Sequence, residues 1–203
     1  MKKILLTGFE PFAGEEINPS WEVVKVFNYK EINDYQIVTK QLPTVFYDAK
    51  DILVNYINDI KPVIVICFGQ AGGSKTIRLE RVAINLNDAR IPDNKGNQPI
   101  DEIININGEN AYFSSLPLRK LHDLLNNENI PTSISLSAGS YVCNHVFYHL
   151  MHIIKDSNTI GGFIHIPYLD IQVKNKKATF SLDFTTLNKA IEIILNTITK
   201  ESN

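Results

Sequence analysis

Cys143 offers the chain's best prospect of covalent chemistry. It follows the apolar run SISLSA (133–138) through Gly139, and it precedes NHVFYHLMHIIK (144–155), whose apolar spacing predicts an amphipathic helix over Asn144 to Lys155. The sulfur is therefore expected at or near a helix N-terminus, where unpaired amides and the helix dipole favour a thiolate and can receive an oxyanion. The plainer alternative is a buried thiol packed against a sheet. That is the role expected of Cys67, which lies inside VIVICF (63–68).

A thiol nucleophile needs a base, and the base needs an orienting group. His165, in the short strand pattern GGFIHIPY, is the candidate base; otherwise it is a core histidine bonded to backbone. Glu80 is the candidate orienting acid. It lies between Leu79 and RVAINLN (81–87), where a charge without a partner would be costly; the alternative is an edge-strand carboxylate paired with Arg81. Of the 20 basic residues only four are arginines, and one of them, Arg90, stands in the polar loop DARIPDNKGNQP (88–99). Its rigid fork of donors suits a developing negative charge, although the loop's Pro and Gly also fit an ordinary surface turn.

Two other signals compete. GQAGGSKT (69–76) nearly matches the phosphate-cradling GxxxxGK[ST], so Lys75 and Thr76 make a nucleotide site an alternative. However, Ser74 replaces the glycine before the lysine, and IRLERVAIN then reads as strand where a phosphate needs a helix N-terminus. His145, His149 and His152 form a stripe at i, i+4 and i+7 whose spacing would suit zinc, but no adjacent Glu or paired carboxylate accompanies it. A solvated or interfacial helix face is the expectation, with no metal and no cofactor.

The elements that must position these groups alternate along the chain. Strand-like runs at 2–9, 35–42, 63–68, 81–87, 133–138 and 162–168 are separated by helical stretches at 20–28, 47–60, 116–127, 144–155 and 185–199. This rhythm predicts an α/β fold, a three-layer open, mostly parallel twisted sheet with helices on both faces, whose ligands bind at the carboxyl ends of the strands. With 203 residues and no linker-like stretch, the chain is expected to form one domain, 1–203. A net charge of −2 argues against nucleic acid as a partner. The longest apolar run, Val63 to Phe68, argues against a membrane span, and two cysteines suit a reducing, cytoplasmic setting.

Taken together, TGFEPFAGEEINPSW, GQAGG, ERVAINLNDARIPDNKGNQP, AYFSSLPL, SLSAGSYVCN and GFIHIPY resemble the pyroglutamyl peptidase type I family over nearly the whole chain. The resemblance implies a cytosolic cysteine exopeptidase with a Cys143–His165–Glu80 triad, a thioester intermediate, and Arg90 with the Cys143 amide at the oxyanion. It also implies a homotetramer acting on peptides with N-terminal pyroglutamate. Such a flat, uncharged lactam asks for aromatic walls and a donor–acceptor pair. Phe9 and Phe12 are the expected walls, Gln70 and Asn18 the polar edge, with Tyr141 and Val142 beside them. A catalytically silent peptide binder of the same fold is the remaining alternative. The chain departs from the family pattern at Ala13, Ser74, Arg78, Tyr141 and Asp170–Ile171, none of them in the triad.

Overall fold

The computed structural model describes residues 1–176 and 178–201. In chain order these contain β1 (Lys2–Phe9), α1 (Pro19–Val24), β2 (Glu31–Ile32), β3 (Tyr35–Leu42), α2 (Phe46–Ile60), β4 (Ile64–Gln70), β5 (Ile77–Glu80) and β6 (Val82–Ile84). There follow β7 (Ala111–Phe113), α3 (Leu118–Asn127), β8 (Thr132–Ser135), α4 (Val142–Ile154) and β9 (Ile160–Ile166). After a two-stranded pair, β10 (Tyr168–Leu169) with β11 (Ser181–Leu182), and the short α5 (Asp170–Val173) between them, α6 (Phe184–Glu201) ends the described chain.

The main sheet has the order β2-β3-β1-β4-β9-β5-β8. Its centre, β3-β1-β4-β9, is parallel throughout. β1 and β4 are buried along nearly their whole length, as the run Ile4-Leu5-Leu6 and the run Ile64 to Phe68 require of strands covered on both faces. One face packs Leu6, Ile66 and Ile164 with residues of α1, α3 and α6; the other packs Leu5, Val65 and Phe163 with residues of α2 and α4. The expected three-layer α/β architecture is what forms.

Two element expectations change. The run 81–87 is not one strand, because the main-sheet strand is the preceding β5, antiparallel to β9 with Leu79 opposite Ile164. The chain leaves that sheet at Arg81, whose amide still bonds Ser135 O, and β6 joins β7 in a separate ribbon. Glu80 thus lies on an inner strand, fully buried, and not at an edge. Helix α4 begins at Val142, two residues earlier than expected, and buries ten of its 13 residues. It is a core helix, not an amphipathic one.

Candidate active site

Three strand and helix ends converge. β9 carries His165, β5 carries Glu80 opposite Phe163, and the first turn of α4 carries Cys143. The His165 Nδ1–H donates to Glu80 Oε1 at 2.8 Å, so the other ring nitrogen faces the Cys143 sulfur, which lies within hydrogen-bond reach. Phe163 braces the imidazole with its ring centroid 4.9 Å away. Gly69, at the end of β4, makes room for the sulfur: a Cβ there would stand 3.0 Å from Cys143 Sγ and 2.9 Å from the Phe163 ring. At the start of α4, Gly139 takes φ +80, open to glycine at no steric cost, and Tyr141 caps the helix without a side-chain acceptor.

Burial of His165 opposes its charge. The neighbouring Cys143 sulfur and the Glu80 carboxylate outweigh that penalty and raise the imidazole to about 9. The imidazolium form of His165 is thereby favoured at neutral pH. Glu80 does not pair with Arg81; it has Arg78 Nε 3.7 Å from the same Oε1 that His165 uses. Arg78 also donates from Nη2 to Ser135 Oγ at 3.0 Å. Cys67 is fully buried, and burial pushes its thiol up to about 12, so it is an inert core residue as expected.

At the turn that leads into α4 lies a cleft of about 210 Å³ lined by Phe12, Asp88, Arg90, Ile91, Ser140 and Tyr141. A larger groove of about 710 Å³ between α3 and α6 carries none of these groups. The two expected aromatic walls separate: Phe12 lines the cleft, 6.2 Å from the Tyr141 ring, whereas Phe9 is 2% exposed and packs against Phe163 behind it. Val142 is buried in the same core cluster. Asn18 is committed elsewhere, since its Oδ1 accepts from Ser20 N and Oγ while its Nδ2 donates to Glu10 O. It fixes the loop that carries Phe12 and caps α1. Gln70, next to Gly69, accepts from Gln172 Nε2 at 3.0 Å.

Sequence reasoning passes over Asp93, which anchors the arginine loop. Its carboxylate accepts from Phe46 N, Lys95 N and Asn97 N; although burial opposes the charge, the donors from Asn97, Phe46 and Lys95 hold it below the usual carboxylate range. The signal is present as an Asp opening the turn DNKGN.

The competing signals resolve differently. After GQAGGSKT the chain enters β5, so Lys75 and Thr76 have no helix N-terminus behind them for a phosphate. Ser74 Oγ instead bonds Thr76 O, closing a tight turn. The histidine stripe is not solvated: His145 and His149 are buried with ring centroids 4.6 Å apart, and His152 bonds the Tyr112 hydroxyl at 2.8 Å. Among the described residues no group of three or more His, Cys, Asp or Glu is placed to hold a metal ion.

Burial, aided by His149 and Lys50, lowers His145 to about 3, and burial, aided by Lys50 and His152, lowers His149 to about 4. Both rings stay neutral when folded but protonate near 6.5 when unfolded, so the stability they confer is present above that value and lost as pH falls toward 4. His149→Phe is expected to lose about 1 kcal/mol less stability than the wild type between pH 7 and 5.5, as read by urea unfolding at each pH. An unchanged difference would mean that His149 already titrates normally.

The comparisons with known proteins concern the family and the fold of the whole chain. The family model for pyroglutamyl peptidase matches residues 2–201. A pyrrolidone-carboxylate peptidase of Bacillus cereus is 48% identical over 201 residues, covering 98% of this chain and 94% of the relative. The crystal structure of Bacillus amyloliquefaciens pyroglutamyl peptidase I superposes with a TM-score of 0.95 at 46% identity, covering 100% of this chain and 99% of that one. The pyrrolidone carboxyl peptidase of Thermococcus litoralis gives 0.94 at 40% identity, over 99% and 96%. Matched from end to end and at close to half identity, the chain belongs to the pyroglutamyl peptidase family.

Proposed function

We propose that the protein hydrolyses the amide bond after an N-terminal pyroglutamyl residue, with Cys143 as nucleophile, His165 as acid and base, and Glu80 holding the ring. The observation that carries this is the buried 2.8 Å His165–Glu80 bond with the Cys143 sulfur on the far side of the same imidazole. The thiolate adds to the pyroglutamyl carbonyl, and Arg90 with the Cys143 amide receives the oxyanion. Collapse expels the amine, which takes the proton from His165, and leaves a thioester. A water molecule then gives its proton to His165 and attacks the thioester, and collapse returns the thiolate and free pyroglutamate.

Phe12 and Tyr141 form the walls for the lactam, with Phe9 behind them. Gln70 and the backbone about Val142 form its polar edge, and Asn18 acts by holding the loop. A polar edge built for the ring carbonyl leaves buried groups unpaired when proline enters, which costs roughly 10⁴-fold in specificity. The test is the wild type with a pyroglutamyl-coumarin amide and its prolyl counterpart. A preference of at least ~10³-fold for the pyroglutamyl substrate is expected; equal cleavage, or binding of the lactam without turnover, would overturn the proposal.

The same reading carries a homotetramer working in the cytoplasm. It is supported by Ile100, Ile103, Ile106 and Phe113, apolar side chains that stand exposed along one stretch and suit burial against another copy. No described helix is long and apolar enough to cross a membrane.

A further inference from the structure

We propose that Asn144 is a positioning residue for the reaction, acting through the loop that carries Arg90. The inference rests on the peptidase reading above. Asn144 follows the nucleophile in the first turn of α4, and its side chain is completely buried. Its amide is spent on the backbone of one segment: Ile84 N donates to Oδ1 at 3.0 Å, while Nδ2 donates to Ile84 O at 2.9 Å and Leu86 O at 3.1 Å. A backbone N–H can only donate and a carbonyl only accept, so the orientation of the amide is fixed by its partners.

The segment so gripped runs directly into Arg90. It is fastened to the nucleophile turn again at Asp88, whose amide donates to Ser140 O and whose carbonyl accepts from Ser140 Oγ, and at Pro92 O, which accepts from the Tyr141 hydroxyl. His145 adds a bond to Asn87 Oδ1. Ser140, Tyr141 and Arg90 line one cleft. The loop and the first turn of α4 are therefore one rigid unit, and Asn144 is its innermost fastening. An oxyanion forms between a group on the helix and a group on the loop, so the separation of the two parts decides how well it is held. Such separations matter at the level of about an ångström.

The experiment compares Asn144→Ala, Asn144→Asp, Arg90→Ala and Asn144→Ala/Arg90→Ala. Asn144→Asp keeps the acceptor for Ile84 N and loses the donors to both carbonyls. With the pyroglutamyl-coumarin amide, both Asn144 variants are expected to lose about 10²-fold in kcat, with KM changed less than about threefold. The double variant should be no slower than Arg90→Ala, because a fastening has nothing to act on once the guanidinium is gone. Cys143 alkylation gives a readout that needs no substrate. The rate ratio of anionic iodoacetate to neutral iodoacetamide reports a cation held beside the thiolate, and it should fall at least threefold in both Asn144 variants as in Arg90→Ala. Losses that multiply in the double variant, an unchanged alkylation ratio, or failure of both Asn144 variants to fold would each overturn the proposal. A wild type that alkylates normally but does not cleave the amide would count against the peptidase reading instead, leaving the ratio to judge Asn144.

Discussion

Cys143→Ala is expected to abolish cleavage of the pyroglutamyl amide, with kcat/KM down by at least ~10⁴-fold and the fold retained. No second sulfur can substitute. Cys67 is fully buried on β4 with its thiol pushed up to about 12, so its thiolate is absent at neutral pH. Cys143→Ser should fall nearly as far, since an imidazole ionises a hydroxyl much less readily than a thiol. Groups that act as a unit do not contribute additively, and His165→Ala in the Cys143→Ala background should cost nothing more. Removing the sulfur opens only a small gap over Gly69, a matter of about 1 kcal/mol in stability. A pyroglutamyl dipeptide should therefore still bind Cys143→Ala, measured by calorimetry, with a Kd near the wild-type KM. More than a hundredth of wild-type turnover in a preparation free of wild-type enzyme would remove Cys143 from the nucleophile's place.

Much of this site is legible in the sequence. Cys143 and His165 stand at the ends of elements whose period and punctuation are strong, and Glu80 draws notice as a charge amid apolar neighbours. Strand ends in an α/β sheet leave few places for chemistry. What the sequence conceals is pairing. Arg78 and Glu80 alternate with Ile77 and Leu79, a strand pattern hidden at the tail of a glycine-rich loop, so β5 starts earlier than the apolar runs suggest and its antiparallel match to β9 is invisible. Adjacency in the chain points Glu80 toward Arg81, whereas its partner in the fold is His165, with Arg78 alongside. Asn18 and the histidine stripe mislead for a related reason. A polar side chain looks available until its partners are known, and Asn18 spends its amide on Ser20 and Glu10 while His145 lies buried against Asn87. Hydrogen-bond satisfaction belongs to the assembled chain, and local pattern does not carry it.

Glu80→Gln should move the alkaline limb of the kcat/KM profile to lower pH by at least about one unit and lower kcat by at least ~10²-fold. In the wild type, burial pulls His165 toward neutrality, while the Cys143 sulfur and the Glu80 carboxylate together hold the imidazolium to about pH 9. In the mechanism proposed above, the protonated ring is the form that hands a proton to the leaving amine, so activity is expected to fall as pH rises through that value. Glutamine keeps the shape but removes the charge, and burial then counts for more. An amide NH₂ turned toward Nδ1 would also oblige that nitrogen to accept, placing the ring proton on the nitrogen that faces the sulfur and spoiling its use as a base. Folding follows the same sign. The imidazolium's stabilising contribution is full below its unfolded value near 6.5 and disappears as pH climbs toward about 9, so the wild type should lose more stability across that window than Glu80→Gln. Arg78, 3.7 Å from the carboxylate, loses a partner in the variant but is itself partly exposed, and its contribution is screened. An unmoved alkaline limb with kcat intact would reduce Glu80 to a buried structural acid and leave Cys143 and His165 as a dyad.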